Sequence, residues 1–375
     1  MGIPYGRQSI SDADIAAVAD VLRGDWLTIG PMVGTFEKAI AEVASTPDAV
    51  AVNSGTSALH SAYAASGITR GDEVVTTPLT FVATAATAMA QGATIRFADI
   101  QPDTGNIDPT AVAEQINERT KVVAAVDYAG HPADLDDLST IAHDAGALLL
   151  EDAAHAIGSI YRGRVVGSIS DLTTFSFFPT KNMTTAEGGA VVSPDPALID
   201  GARRFKGHGM VRDRSQLRYP DEGPWHQEVQ SLGLNYRLPD VLCALGVSQI
   251  ARIAEFKQRR TAIFDHYVAS LSDVPGLTLP TKREDVDPMW HLFPVRVHDG
   301  QRRRVFDHLR DNGVLVQVNY IPVYWHPVFE DLGYRRGMCP VAEQFYREEI
   351  SLPMYADLSR SDQDRVIEVL RQALA

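Results

Sequence analysis

The chain has 375 residues, 45% of them hydrophobic, so it can bury a large core, and its length predicts two closely packed domains. Its net charge of -14 argues against a general nucleic-acid or membrane surface, because binding to such surfaces needs clustered lysine and arginine. An anionic ligand must therefore be bound locally.

The first residues lack the basic and apolar regions of a secretory signal. No later stretch approaches the roughly 18 uninterrupted apolar residues of a membrane span. We therefore expect a cytoplasmic protein with no membrane or nucleic-acid partner. Cys243 and Cys339 are the two cysteines, and they lie far apart, outside any paired spacing. Neither a disulfide framework nor a metal site is predicted.

Two helices are predicted near the N-terminus. The first begins after Ser11, a suitable N-cap, follows apolar residues at helical spacing, and ends at Gly24. The second spans residues 36–43.

Short β-branched runs then alternate with alanine-rich segments of helical length. Strands are predicted at residues 49–52, 73–77, 94–98, 121–126, 147–150, 173–177 and 190–193. Near-continuous apolar strands separated by helices are typical of a parallel sheet buried on both faces. Residues 1–245 are therefore predicted to form one large α/β domain.

The rest of the chain, residues 246–375, is predicted to form a smaller α+β domain. Its elements are a long helix over residues 239–266, a strand at 291–297, a helix at 305–311, a strand at 314–318 and a final helix after Ser361. The polar segment 202–225 is predicted to be a long surface excursion of the large domain.

The first chemical motif lies in residues 53–67, where a strand breaks at Asn53 and a helix begins at Gly55 or Thr56. Free amide groups at a helix N-terminus, with hydroxyls beside them, form a phosphate site. An ordinary turn capped by Ser54 or Thr56 explains the same residues equally well. The stretch matches no dinucleotide or mononucleotide fingerprint.

The second motif places Glu151 and Asp152 at the end of a strongly apolar strand. Ligands of open α/β sheets bind just beyond the carboxyl ends of the strands, and a carboxylate there needs a partner. A protonated ring nitrogen of a cofactor is one such partner. The alternative is that Asp152 caps a following helix, on which His155 is simply polar.

The third motif places Lys181 in a short turn between two strands. Most lysines in turns are simply solvated, but here the flanking residues are small or apolar. Ser176 precedes the lysine, and Gly188 and Gly189 let the backbone pass close to a flat ligand. A lysine in a partly desolvated pocket has a lowered pKa and can form a Schiff base.

The order of these motifs, a phosphate turn, an acid after a strand and a lysine in a turn, resembles the DegT/DnrJ/EryC1/StrS family of sugar aminotransferases. The resemblance covers essentially the whole chain. It is carried by LTIGP (27–31), SGTSAL (54–59), TFVATA (80–85), EDAAHA (151–156), SFFPTK (176–181), AEGGAVV (186–192), GLNYRL (233–238) and SLPMYADLS (351–359). The resemblance implies the type I fold of pyridoxal-phosphate enzymes, with pyridoxal 5′-phosphate as cofactor.

The same resemblance implies a role for each matching residue. Lys181 holds the cofactor as a Schiff base, and Asp152 pairs with the pyridine nitrogen. Phe81 stacks on the cofactor ring, and His155 lies near its phenolic oxygen and the substrate.

Further matching residues are implied to bind the cofactor phosphate. Thr56 and Ser57 form the phosphate turn, and Ser176 adds a hydroxyl. Asn235 reaches the phosphate of a neighbouring subunit, so the resemblance implies a homodimer with shared active sites.

Within the family, the chain most resembles the aminotransferases of pseudaminic acid synthesis, through residues 103–130, 184–192 and 318–324. This implies transfer of an amino group from L-glutamate to C4 of a nucleotide-linked 4-keto-6-deoxy sugar. The candidates for sugar and nucleotide contacts are Tyr5, Thr28, Arg237 and Tyr320. One departure is Asn319, where histidine is expected before the tyrosine.

Three alternatives stay open from the sequence. A sugar dehydratase on the same fold has histidine in place of the lysine, so Lys181 argues against it. An aminotransferase for another keto sugar or a keto-cyclitol, in antibiotic or polysaccharide synthesis, is opposed only by the short stretches named above. A non-catalytic regulator would have no use for Asp152, Phe81 and Lys181 together.

Overall fold

A computed structural model describes residues 2–375. Strands and helices alternate in its first part. They are α1 (Asp12–Arg23), α2 (Pro31–Ala44), β1 (Ala49–Val52), α3 (Gly55–Ala65), β2 (Glu73–Thr76), α4 (Ala83–Ala90), β3 (Thr94–Phe97), α5 (Pro109–Gln115), β4 (Thr120–Val126), α6 (Leu135–Asp144), β5 (Leu148–Asp152), β6 (Ile160–Tyr161), β7 (Arg164–Val165), β8 (Leu172–Ser176), β9 (Gly189–Val192) and α7 (Pro196–Lys206). The predicted strands are confirmed as β1 to β5, β8 and β9, with small shifts at their ends.

These strands form a seven-stranded sheet in the order β1-β9-β8-β5-β4-β2-β3. Strands β8, β5, β4, β2 and β3 run parallel, whereas β9 is antiparallel to both β8 and β1. Residues 177–188 join β8 to β9 and contain no helix. Because a parallel strand needs a crossover, usually a helix, this short connection without one returns the chain antiparallel. This connection carries Lys181, which therefore lies beyond the carboxyl end of β8.

Helices cover both faces of the sheet and hold the connections at its carboxyl edge. On one face, Phe36 of α2 packs against Phe177, with 5.4 Å between ring centroids. On the other face, the hydroxyl of Tyr63 in α3 donates to the carbonyl of Thr84 in α4 at 2.9 Å. All of these side chains are buried. The two contacts fix the start of the turn after β8 and the start of α4.

The second part of the chain begins with a small hairpin and ends in a smaller layer of strands and helices. Its elements are β10 (Met210–Val211), β11 (Glu228–Val229), α8 (Asp240–Ile250), α9 (Ile253–Leu271), β12 (Leu277–Thr278), β13 (Val286–Asp287), β14 (Phe293–Val297), α10 (Arg302–Asp311), α11 (Pro327–Asp331), α12 (Pro340–Glu348), β15 (Glu349–Leu352) and α13 (Arg360–Leu374). Three-stranded sheets form from β12-β14-β15 and from β13-β6-β7.

Three sequence expectations need correction here. The long helix over 239–266 is two helices, α8 and α9, with a break at residues 251–252. Residues 314–318 are not a strand, because they pair only through single bridges at Val314 and Gln317, and β15 takes the expected place in the small sheet. The first residues of the segment 202–225 belong to α7. The remainder contains β10 and most of the loop that leads to β11, and it is mostly exposed.

The division of the chain into domains follows its hydrophobic clusters. Helix α8 packs against α1 and α2, whereas α9 contributes to the cluster of the smaller layer. A boundary at residue 245 falls inside α8. We propose that the division lies at residues 251–252, in the break between the two helices. Within residues 2–375, none of the helices is long and apolar enough to cross a membrane.

Candidate active site

A cavity of about 450 Å³ opens at the carboxyl ends of β5 and β8. It lies where α3, the turn after β8 and the segment around Tyr320 converge. Most of the predicted site residues line it, namely Tyr5, Thr56, Phe81, Asp152, His155, Ser176, Lys181 and Tyr320. Ser57 lies just behind Thr56 in the first turn of α3 and is buried.

The start of α3 forms one end of the cavity. Ser54 is the N-cap, and its Oγ accepts from the Ser57 amide at 3.0 Å. The Ser57 hydroxyl donates to Asn53 Oδ1 at 2.5 Å, so it is already engaged. Within residues 2–375 the amides of Gly55 and Thr56 have no hydrogen-bond partner. They are the free donors that an anion at a helix N-terminus requires.

Ser176, the last residue of β8, faces this same turn. A Cβ placed on Gly55 would lie 2.7 Å from the Ser176 Cβ and 2.8 Å from its Oγ. Only glycine therefore allows the Ser176 hydroxyl to approach the start of α3. The cap at Ser54 leaves the amides of Gly55 and Thr56 free, so the capped turn and the phosphate site are compatible interpretations of the same residues.

Asp152 ends β5 with its carboxyl group buried beside the cavity. Thr84 Oγ1 donates to Oδ2 at 2.7 Å, and the Ala154 amide donates to Oδ1 at 3.2 Å. Burial raises the pKa of Asp152, while the Thr84 hydrogen bond and the charge of Lys181 lower it. The helix that the alternative interpretation placed after Asp152 is absent, since residues 154–158 form turns. The carboxyl group is thus no helix cap and can accept one further charged partner.

Lys181 lines the same cavity as Asp152. Within residues 2–375, its Nζ has neither a hydrogen bond nor an ion pair. Burial lowers the pKa of this amine to about 8, and the charge of Asp152 partly opposes the shift. A neutral, unpaired amine in a cavity is a nucleophile and a base.

We predict that cofactor-free protein takes up pyridoxal phosphate covalently at a rate that rises with pH and is half-maximal near pH 8. Only the neutral Lys181 amine attacks the aldehyde, and a lowered pKa brings the neutral form to lower pH. Stopped-flow absorbance measures the rate. Asp152→Asn should move the midpoint to lower pH, because the Asp152 charge raises the pKa of Lys181. A midpoint near pH ~10.4, that of an ordinary lysine, would contradict the prediction.

His155 lies between Tyr320 and a second histidine that the sequence reasoning missed, His291. The His155 Nε2 and the Tyr320 hydroxyl are 3.2 Å apart, and the two histidine rings have centroids 4.3 Å apart. Burial holds the pKa of both histidines well below its usual range, so both are neutral at physiological pH. His291 opens a predicted strand, and one histidine in an apolar strand carries no functional signal by itself.

Phe81 forms the outer wall of the cavity. Its ring is 59% exposed and lies 6.4 Å from the ring of Tyr320, between centroids. An exposed aromatic face beside a cavity offers a surface on which a flat ring stacks.

These groups fit pyridoxal phosphate. The free amides of α3 and the Ser176 hydroxyl suit a phosphate, the buried carboxyl of Asp152 suits a pyridine nitrogen, the Lys181 amine suits an aldehyde, and Phe81 suits the ring.

Three predicted site residues lie outside the cavity. Thr28 is exposed in the connection between α1 and α2. Asn235 and Arg237 follow the β10–β11 hairpin, and the backbone of Arg237 bridges to Val52. Within the described residues, the side chains of Asn235 and Arg237 form no hydrogen bond or ion pair. This chain alone does not bring these residues to the site.

Comparison with known proteins places this geometry among enzymes. The chain is 39% identical, over 98% of its length and 96% of the relative's, to the spore coat polysaccharide biosynthesis protein SpsC of Bacillus subtilis. It is 34% identical, with the same coverage, to the UDP-4-amino-4,6-dideoxy-N-acetyl-beta-L-altrosamine transaminase of Campylobacter jejuni.

Among solved structures, Helicobacter pylori PseC, an aminotransferase involved in the biosynthesis of pseudoaminic acid, superposes with a TM-score of 0.94. The identity is 32%, and the match covers 100% of this chain and 99% of the other. The fold is thus the type I fold of pyridoxal-phosphate-dependent sugar aminotransferases. The model of the DegT/DnrJ/EryC1/StrS aminotransferase family matches residues 8–371. With Lys181, Asp152 and the start of α3 at one cavity, the chain belongs to the DegT/DnrJ/EryC1/StrS aminotransferase family.

Proposed function

We propose that the protein uses pyridoxal phosphate to transfer the amino group of L-glutamate to C4 of a nucleotide-linked 4-keto-6-deoxy sugar, giving a product of the UDP-4-amino-4,6-dideoxy-N-acetyl-L-altrosamine type. The observation that carries the proposal is the unpaired amine of Lys181 beside the buried carboxyl of Asp152 in one cavity. The whole-chain similarity to the Campylobacter transaminase and to PseC supports this choice of acceptor.

When bound, pyridoxal phosphate supplies the electron sink that lets an amino group leave the donor and join the keto sugar. Lys181 would hold the cofactor, and its free Nζ would take the proton from the donor's α-carbon. Asp152 would hold a proton on the ring nitrogen. Phe81 would fix the ring plane, and Thr56, with Ser176, would orient the phosphate.

The cavity lacks the positive charge that its substrates need. Among residues 2–375, the basic side chains that line it are Lys181, which would be taken up by the cofactor, and His155 and His291. Both histidines are neutral at physiological pH because burial lowers their pKa. A glutamate carboxylate and a nucleotide diphosphate therefore need cations from elsewhere. Arg237, whose guanidinium has no partner within residues 2–375, is such a group when a second subunit presents it.

Exposed apolar side chains support a homodimer. Trp26, Leu27 and Ile29 are 59%, 50% and 55% exposed, and Trp225 and Leu232 of the hairpin region are 79% and 91% exposed. Large apolar side chains concentrated in two short segments are typical of a protein–protein interface. We propose that a second copy covers them and that Asn235 then reaches the partner's phosphate turn.

A mixture of Lys181→Ala and Asn235→Ala subunits tests the shared site. We predict that each variant alone is inactive and that random mixing restores about a quarter of wild-type activity, because half of the dimers then contain one intact site. The matched control mixes Lys181→Ala with Asp152→Asn subunits. Both residues lie in the same chain's cavity, so no intact site forms. Equal recovery in both mixtures, or none in either, would contradict shared sites.

The acceptor is tested with a panel of nucleotide-linked 4-keto and 3-keto sugars, assayed with L-glutamate as the donor and with the product's stereochemistry determined. We expect the 4-keto-6-deoxy sugar to give the highest kcat/KM. A higher kcat/KM for a 3-keto sugar would overturn the acceptor assignment but leave the aminotransferase chemistry in place.

A second acceptor class is a keto sugar destined for another polysaccharide. The 39% identity to SpsC, a spore coat polysaccharide biosynthesis protein, favours it. The same panel separates the two classes, since they differ in the sugar they aminate fastest.

A further inference from the structure

Asn319 lies on the cavity wall beside Tyr320, at a position where histidine is expected from the family resemblance. It is 9% exposed and lines the cavity together with Tyr5. None of the roles proposed above uses it, so a buried polar side chain at the sugar end of the cavity has no assigned function.

Every polar group of Asn319 except one is already engaged. Its amide N–H donates to Glu349 Oε2 at 2.7 Å, and its carbonyl accepts from the Tyr128 hydroxyl at 2.5 Å. Its side-chain Nδ2 donates to the Tyr5 hydroxyl at 2.9 Å and to Ser351 Oγ at 3.0 Å. In the part of the chain from residue 2 onward, only Oδ1 has no hydrogen-bond partner.

The orientation of the side-chain amide is set by Glu349. When Glu349 is ionised, the Ser351 hydroxyl donates to Glu349 Oε1, because a carboxylate only accepts hydrogen bonds. The Ser351 oxygen must then accept from Asn319, and only Nδ2 can donate to it. A rotated amide would then place Oδ1 against the Ser351 oxygen, which has no proton left to donate, so Oδ1 remains on the cavity side.

We propose that Asn319 Oδ1 is a fixed acceptor for a hydroxyl or amide N–H of the acceptor sugar, and so a specificity-determining residue. This inference rests on the proposed function. It adds that the acceptor sugar carries a hydrogen-bond donor that faces this wall of the cavity. An acceptor on the cavity wall loses its water when the sugar binds. A sugar without the matching donor leaves that acceptor unpaired, which lowers kcat/KM by about 10- to 100-fold.

The test uses acceptor sugars that each lack one hydrogen-bond donor, replaced by hydrogen or O-methyl. In the wild-type holoenzyme, assayed above about pH 8, where Glu349 is ionised, one analogue should lose about 10- to 100-fold in kcat/KM relative to its parent sugar. In Asn319→Ala, the parent and that same analogue should differ by less than about threefold, since the acceptor is gone. The matched control is Asn312→Ala, an exposed asparagine at the end of α10, which should keep the wild-type ratio.

Two results would overturn the inference. One is that the wild-type enzyme has the same kcat/KM for the parent sugar and for every analogue. This result needs no variant, so it stands even if Asn319→Ala does not fold. The other is a ratio for the same analogue that is equal in wild type and Asn319→Ala. Absorbance changes of the wild-type holoenzyme with L-glutamate alone report the first half of the reaction. Their absence sinks the proposed function, whereas their presence with unchanged sugar ratios sinks only the role of Asn319.

The ionisation of Glu349 gives a second readout. Burial raises the pKa of Glu349 to about 8, so its carboxylate form prevails above that pH. In the acid form, Glu349 itself donates to Ser351, which frees the Ser351 hydroxyl to donate to a rotated Asn319. The charged and titratable groups that face Glu349 are Tyr5, Tyr128, Tyr320 and Arg302.

These tyrosines stay neutral because burial raises the pKa of each. The ratio of kcat/KM between the parent sugar and the discriminated analogue cancels the ionisation of Lys181, which both sugars share. We expect this ratio to widen as the pH rises through about 8, the pKa of Glu349. A ratio that stays flat or narrows would overturn the assignment of Oδ1.

Discussion

Replacing Lys181 with alanine is expected to abolish amino transfer, lowering kcat/KM by at least ~10⁴-fold, and to remove the covalent link to the cofactor. The reason is that no other group in the cavity replaces this amine. The remaining basic side chains there are His155 and His291, which burial keeps neutral and which cannot form the same bond to an aldehyde. The loss therefore combines the missing link with the missing base.

Borohydride reduction followed by peptide mass spectrometry measures the link directly. Wild-type protein should carry the cofactor on the peptide that contains Lys181, and the variant should carry none. Lys257→Ala is the matched control. Lys257 is also largely covered, but its Nζ donates to the Gly158 carbonyl and pairs with Asp287, outside the cavity. It should keep the adduct and most of the activity. An adduct at another lysine in wild-type protein would refute the assignment.

Much of the large domain was predictable because its strands are short apolar runs between helices. These apolar runs do not indicate the direction in which each strand crosses the sheet. Strand β9 reads like its neighbours, yet it runs antiparallel because residues 177–188 contain no helix. The position of Lys181 depends on this reversal.

The smaller layer was harder to predict because tertiary contacts decide its elements. No glycine or proline marks the break between α8 and α9, where Arg252 turns to pair with Asp14 of α1 and with Glu255. Residues 314–318 have a strand-like composition, but single bridges to Ile3 and Ser351 leave no room for a ladder. The local sequence pattern does not indicate these tertiary partners.

Some residues of the candidate site were likewise predictable from local sequence, and others were not. Asp152 and Lys181 were predictable because strand ends and glycine-flanked turns mark them in the sequence. His291 and the hydrogen bonds of Asn319 were not, because their neighbours come from distant segments, including β15 and the N-terminal residues. Arg237 is marked in the sequence but does not line the candidate active site of its own chain, and we propose that it serves a second subunit.

Replacing Asp152 with asparagine is expected to leave the cofactor bound but to lower amino transfer by about 10³-fold. Asparagine has nearly the same shape, and its oxygen still accepts from the Ala154 amide. Thr84 Oγ1, which now donates to Asp152, also lies 2.9 Å from Thr80 Oγ1 and has another partner. The fold should therefore survive. What is lost is the negative charge that holds a proton on the ring nitrogen, without which the cofactor is a poor electron sink.

Single-turnover absorbance with L-glutamate separates the two effects, since it reports cofactor occupancy before mixing and the rate of amino transfer afterwards. The matched control is Glu151→Gln, the neighbouring residue of β5. Glu151 is also buried, but it accepts from Thr173 on the other side of the strand. Burial raises the pKa of both Glu151 and Asp127, and an uncharged glutamine adds no charge beside Asp127. Glu151→Gln should transfer amino groups at close to the wild-type rate. If Asp152→Asn does so as well, Asp152 does not hold the ring proton, and the cavity activates its cofactor by other means.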